Sequence, residues 1–170
     1  HDSGYKRYLR SFAEEALFPF VSSPARVLDY GSGPTPVFAE LLRSLDYSVS
    51  IYDPIFAPDF FSSHSFEEIK GAFDAITTIE VAEHFFFPGK EFSTLASLLR
   101  PGGYLSVRTL LHYSDKSRFA DWWYRRDRTH VCFYSRRSFE VLAELFGLEL
   151  VSIKKNRSVI LQKPARGKTF

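Results

Sequence analysis

The stretch that most constrains this chain is Leu28-Asp29-Tyr30-Gly31-Ser32-Gly33-Pro34-Thr35, together with Asp53 further along. Arg26 to Tyr30 is a short apolar run, and it reads as a buried strand entering a loop. Thr35-Pro36 is expected to give an N-cap and then a proline at the first helical position. The helix would continue through Val37, Phe38, Leu41, Leu42 and Leu45. Glycines where a strand turns into a helix let a ligand approach the main chain, and the helix start offers free N–H groups. In open α/β sheets, ligands settle beyond the carboxyl ends of the strands at such crossovers. A second strand, Ser48 to Tyr52, ends at Asp53-Pro54, twenty residues after Gly33. The Asp53 carboxylate could accept two hydrogen bonds from a ribose diol. Two readings compete: a nucleoside site, or a tight turn with Asp53 capping a loop. Loop, acid and strand order taken together favour the nucleoside.

The rest of the chain alternates strand and helix patterns. Residues 5 to 20 carry an apolar stripe of Tyr5, Tyr8, Leu9, Phe12, Ala13 and Ala16, which predicts an amphipathic helix. Ala72 to Ile79 is a strand rich in β-branched residues. Gly89 to Leu99 is helical and stops at Arg100-Pro101-Gly102-Gly103, with a strand from Tyr104 to Leu111. Arg136 to Phe146 forms a helix closed by Gly147; Leu148 to Lys154 and Ser158 to Gln162 form a strand pair. This alternation defines an α/β sheet with helices on both faces and an antiparallel closing edge. The division expected is a helix in residues 1–24 packing on a domain at 25–163, with a basic tail at 164–170.

Composition narrows the class. Twenty-two Lys and Arg against twenty Asp and Glu leave a net charge of +2, too balanced for a dedicated polyanion binder. A single cysteine excludes an internal disulfide framework and fits a reducing, cytoplasmic setting. No apolar run approaches the roughly 20 residues of a membrane span. The chain starts at His1 rather than Met and shows no signal core, so trimming of an N-terminal segment is expected.

Four segments in this order, VLDYGSGP, IYDP, FDAITTIEVAEHF and LLRPGGYL, give the chain a more specific likeness. Over roughly residues 25–163 it resembles the class I S-adenosylmethionine-dependent methyltransferases, in the group whose small-molecule members include quinone-biosynthesis methylases. The resemblance implies a Rossmann-like three-layer sandwich with a mostly parallel seven-stranded sheet and an antiparallel strand from the C-terminal hairpin. It also implies S-adenosyl-L-methionine as cofactor. Asp29, Gly31, Ser32 and Gly33 would surround its methionine portion, Asp53 and Pro54 would meet the ribose, and Ile79 or Glu80 would add main-chain contacts. A dinucleotide fingerprint wants a third glycine where Pro36 stands, which counts against an NAD(P)-dependent oxidoreductase. Residues 54–72 are short for the helix, strand and adenine-contacting loop that the family fits there. The adenine contact is left to Asp59, Ser65 or Glu67, and a noncatalytic methyltransferase-like binding domain is the main alternative.

A hydroxyl or amine acceptor must lose a proton, so a base near neutrality helps. His84 and His130 are the candidates, with Glu83 and Asp127 behind them. By the resemblance, His84 matches a residue common in the family, where it often orders the loop, and a structural role is the competing reading for both histidines. Between the fifth strand and the last helix, Trp122, Trp123, Tyr124 and Arg126 could clasp a planar or anionic small molecule. The same residues could be a packed cover with solvated arginines. A nucleic acid would leave a broader basic footprint and is not expected. His64, His112 and Cys132 show no ligand spacing, so no metal is expected. Acceptor and oligomeric state are not written in the sequence.

Overall fold

The computed structural model describes residues 3–112 and 115–165. Of the expected basic tail, residues 166–170 lie outside the described residues. The chain runs α1 (Ser3–Ala16), β1 (Arg26–Tyr30), α2 (Val37–Arg43), β2 (Ser48–Tyr52), α3 (Asp59–Ser63), α4 (Phe66–Ile69) and β3 (Phe73–Ile79). It continues with α5 (Pro88–Leu98), β4 (Leu99–Arg108), α6 (Lys116–Ala120), α7 (Arg136–Phe146), β5 (Glu149–Lys154) and β6 (Ser158–Gln162). Short 3₁₀ turns at Ala82–His84 and Trp123–Arg126 complete the described elements. The strands form one sheet in the order β2-β1-β3-β4-β6-β5. β1 pairs in parallel with both β2 and β3, and β3 with β4, while β6 runs antiparallel to β4 and β5.

The sheet has six strands, not the seven expected. Residues 54–72 form the two short helices α3 and α4 instead of a helix and a strand. The phenylalanines of α3 go inward, Phe60 packing tilted on Phe73 at 6.0 Å and Phe61 meeting Tyr52 edge-on at 4.6 Å, while Phe56 and Phe66 stay exposed. Ser65, a candidate for adenine contact, caps α4 instead, exchanging hydrogen bonds with Glu68.

Alternation along the buried strands splits the core in two. Val27, Ala75 and Ile160 face one layer with Leu9, Phe12 and Ala16 of α1 and Phe38 and Leu42 of α2. Leu28, Ile76, Val159 and Leu161 face the other, with Phe92 and Leu95 of α5 and Phe139 of α7. Successive residues of a strand point to opposite faces, so one strand serves both layers. α1 is fixed to the sheet by apolar burial and by the Ser106 hydroxyl donating to the Ala16 carbonyl at 2.5 Å.

Several local details differ from the sequence reading. Pro36 itself holds the N-cap position of α2, so Thr35 supplies no cap. β4 starts at Leu99, and the Pro-Gly-Gly segment is a register shift inside the strand rather than a break before it. Gly147 closes α7 in the left-handed conformation, as expected from its position.

Candidate functional site

The glycine loop is bound to the end of the neighbouring strand. Gly31 and Ser32 donate their N–H groups to the Tyr52 carbonyl at 2.7 and 3.1 Å, and Gly33 donates to Asp53 Oδ2 at 3.0 Å. The two glycines serve different ends. At Gly31, with φ +88°, a Cβ would stand 2.3 Å from Cγ2 of Val81, so a neighbouring side chain and not a ligand fills the space expected to be free. At Gly33, with φ +67°, a Cβ would meet nothing within 4 Å. The open side of the loop is therefore at Gly33.

Asp53 is buried, and its carboxylate is already at work. Oδ1 accepts the N–H groups of Ile55 and Phe56 at 2.9 and 3.1 Å while Oδ2 holds Gly33. A carboxylate offers about four acceptor positions, so about one is left over. A ribose diol gripped through both oxygens would need one of the loop bonds to yield. Pro54 is exposed in the same turn, which Asp53 and Ala57 close by exchanging backbone hydrogen bonds.

Asp29, on β1, is 3% exposed and accepts a hydrogen bond from Thr77 Oγ1 at 3.3 Å. Burial pushes its carboxyl up to about 7, against partial relief from Thr77. Ser32 carries a buried hydroxyl with no hydrogen-bond partner. An unpartnered hydroxyl, an open glycine face and a buried carboxyl fit the polar, cationic methionine end of S-adenosylmethionine.

The ends of β3 and β4 are organised by side chains. Ile79 is half-buried, and Glu80 follows it with φ +54°, its N–H donated to the Arg108 carbonyl at 2.8 Å. That conformation is strained for a residue with a Cβ. Glu80 Oε1 accepts from Tyr8 of α1 at 2.5 Å, and Arg108 Nε donates to the same phenol oxygen at 3.0 Å. Glu83 is fully buried and accepts the Tyr124 hydroxyl proton. Glu80 Oε2 lies 3.3 Å from that hydroxyl, but a phenol has a single proton and Glu83 is the nearer acceptor. Burial raises the Glu83 carboxyl, and burial and the Glu83 contact together raise the Tyr124 phenol.

Two histidines stand beside this network with their rings 4.9 Å apart. His84 Nδ1 lies 2.9 Å from the Thr129 carbonyl, and His130 Nδ1 lies 2.7 Å from the Tyr124 carbonyl. Since a carbonyl only accepts, each Nδ1 carries a proton, and Nε2 is the nitrogen that offers a lone pair in the neutral ring. The fold thus brings His84 and His130 together. Of the four aromatic and basic candidates it gathers three, since Trp123 also meets Tyr124 edge-on at 5.5 Å, but it does not turn them to one open face. Trp122 and Tyr124 pack on each other at 5.0 Å and on Phe133, as a small core of their own. Trp123 is 66% exposed and Arg126 is exposed. Sequence reading missed Tyr8, Val81 and Arg108. Tyr8 was visible only as part of the apolar stripe of α1.

The sheet order and the glycine turn between β1 and α2 define a Rossmann-like fold of the methyltransferase class. A model of the methyltransferase domain matches residues 2–153, and the chain belongs to that family, the class I S-adenosylmethionine-dependent methyltransferases. Over 40 residues it is 50% identical to the ubiquinone biosynthesis O-methyltransferase of Caulobacter vibrioides, a match taking in 24% of this chain and 16% of the relative. Among solved structures, the fold matches the 1,6-didemethyltoxoflavin-N1-methyltransferase of Burkholderia thailandensis with TM-score 0.68 at 14% identity, over 94% of this chain and 79% of that one. An S-adenosylmethionine-dependent methyltransferase from Archaeoglobus fulgidus gives 0.66 at 16% identity, over 94% and 93%. The [4+2]-cyclase SpnF gives 0.60 at 13% identity, over 94% and 81%, so the fold alone does not fix the chemistry. Among the described residues, no helix is long and apolar enough to cross a membrane.

Proposed function

We propose that the chain transfers the methyl group of S-adenosylmethionine to an oxygen or nitrogen of a small-molecule acceptor. The observation that carries this reading is the position of the glycine turn, Asp53 and Ile79-Glu80 at the carboxyl ends of three adjacent parallel strands, β1, β2 and β3. Asp29, Ser32 and Gly33 hold the methionine end of the cofactor, and Gly31, packed against Val81, shapes the turn that presents them. Asp53 and Pro54 meet the ribose, and Ile79 and Glu80 offer main-chain contacts. The cofactor supplies an activated methyl group on a sulfonium. The protein then has to align the acceptor with it and exclude water. His84 and His130 present Nε2 lone pairs that can take the acceptor's proton. Trp123 and Arg126, the exposed members of the aromatic and basic cluster, are the ones able to touch an acceptor, while Trp122 and Tyr124 support them. The O-methyltransferase relative supports oxygen as the accepting atom, and the N1-methyltransferase fold neighbour keeps nitrogen in play.

The engaged carboxylate of Asp53 favours one rival, a domain that holds a ligand without transferring a methyl group. Calorimetric titration with S-adenosylhomocysteine and with NADPH, followed by radiolabelled methyl transfer to a panel of phenols, catechols and amines, tests both. Binding of S-adenosylhomocysteine alone with label in at least one acceptor is expected. Binding without transfer to any acceptor supports the rival, and preference for NADPH overturns both readings.

A further inference from the structure

Ala82–His84 form a single 3₁₀ turn directly after β3, and residues 127–132 return across it. Val131 and Cys132 both donate to the Glu83 carbonyl, at 2.8 and 2.9 Å, and the Cys132 thiol donates to the Phe85 carbonyl at 3.0 Å. This stitching gathers three ligating side chains: one atom each from Glu83, His84 and His130 lie within 4.8 Å of one another. Spacing along the chain could not announce the group, because His130 arrives from the far side of β4.

Three further features go beyond mere proximity. Each imidazole is oriented through Nδ1 by a backbone carbonyl, which fixes Nε2 as the free ligand, the way metal-binding histidines are commonly held. Glu83 is fully buried, and its Oε2 has no hydrogen-bond partner. Asp127 stands at the edge, with Oδ2 3.8 Å from His130 Nε2 and Oδ1 held by the N–H and hydroxyl of Thr129 at 2.9 and 2.6 Å. The structure assigns to Glu83, His84 and His130 a site for a divalent first-row transition ion of the zinc type. Asp127 is the available outer carboxylate.

Two imidazoles with one carboxylate suit Zn²⁺ or Co²⁺, whereas Mg²⁺ and Ca²⁺ prefer oxygen donors throughout. Metal–ligand bonds of about 2.0–2.2 Å require the donors to draw in by roughly an ångström. Three protein ligands leave a coordination position open, as in catalytic rather than structural zinc sites. With the ion bound, the Nε2 lone pairs are on the metal and no longer serve as bases; an acceptor hydroxyl in the open position would instead lose its proton to solvent more readily, its oxygen keeping the electron pair for the methyl group. This last step rests on the methyl-transfer reading; the cation site does not.

The test is a titration of the chelator-treated full chain with Co²⁺, followed by visible d–d absorption, with S-adenosylhomocysteine binding measured on the same samples. One equivalent of Co²⁺ with the strong bands of four- or five-coordination is expected, displaced by Zn²⁺ and not by excess Mg²⁺. His84→Gln should weaken Co²⁺ at least about tenfold while the circular dichroism spectrum stays native. Glu83→Gln should do the same, and His64→Gln should not. Absence of the bands, displacement by Mg²⁺, or wild-type Co²⁺ binding by folded His84→Gln overturns the site. If S-adenosylhomocysteine still binds in that case, the methyltransferase reading stands without the metal.

Discussion

At the ends of β1 and β2 the site is made of backbone, and at the ends of β3 and β4 it is made of side chains. The first region consists of consecutive loop residues whose N–H groups point to Tyr52 and Asp53. The second joins Tyr8, Glu80, Glu83, Arg108, Tyr124, His84 and His130 from four separate stretches of chain. A backbone site is specified by glycines and one acid in a short window, and it tolerates few substitutions there. A side-chain network is specified by which elements meet, and its members can be ordinary residue types. The contrast teaches that the glycine turn is written in one short window, whereas the second region joins a recognisable segment, Glu80 to His84, to partners that only folding supplies: Tyr8, Arg108, Tyr124 and His130.

The sharpest way to break this comparison is at Gly31. Gly31→Val drives a side chain into Val81 at a positive φ and should cost about 3–5 kcal/mol in denaturant unfolding. Gly33→Ala meets no neighbour, so only the backbone strain is felt, about 1 kcal/mol. Equal losses at the two positions would show that Val81 does not shape the loop. Next in size is Tyr124→Phe. It leaves the buried Glu83 carboxylate without its donor and should cost about 2–3 kcal/mol in metal-free protein. Adding Glu83→Leu should recover part of that loss in a double-mutant cycle, and simple additivity would mean that the two are not coupled.

Asp53→Ala separates ligand from loop. It should weaken S-adenosylhomocysteine about tenfold, or roughly 1.4 kcal/mol, by calorimetry. Unchanged affinity together with lowered stability would assign Asp53 to its three N–H partners alone. The smallest effect concerns Asp29, whose folded carboxyl sits at about 7 against an ordinary 3.8. Between those values the folded state holds a proton that the unfolded state has released. Stability therefore falls as pH rises through that window and levels off above it. From about pH 6 to pH 7.5 the loss should be about 1 kcal/mol in urea titrations. Asp29→Asn should remove that slope, and a variant with the wild-type slope would locate the titrating group elsewhere.

Much of the scaffold was legible because its signals are local. β1, β2, α7 and β6 fall where apolar runs and their terminators place them, and Gly147 takes the left-handed conformation that a helix end demands. The lost strand was only half legible. The shortness of 54–72 showed that something had to go, but a Phe-rich segment can be buried as two helical turns as well as by a strand. Periodicity put Tyr8 on the inner stripe of α1 but could not show that its hydroxyl would reach Glu80.

By itself, then, the sequence determined the parallel sheet, the glycine turn after β1 and the acid after β2. Each of these depends on backbone preferences and hydrophobic alternation within about twenty residues. Only the tertiary structure decided that Val81 packs on Gly31, that the Asp53 carboxylate closes its own loop, and that Glu83, His84 and His130 converge. Those outcomes depend on distances between atoms far apart in the chain, and packing of the two layers against the sheet sets them.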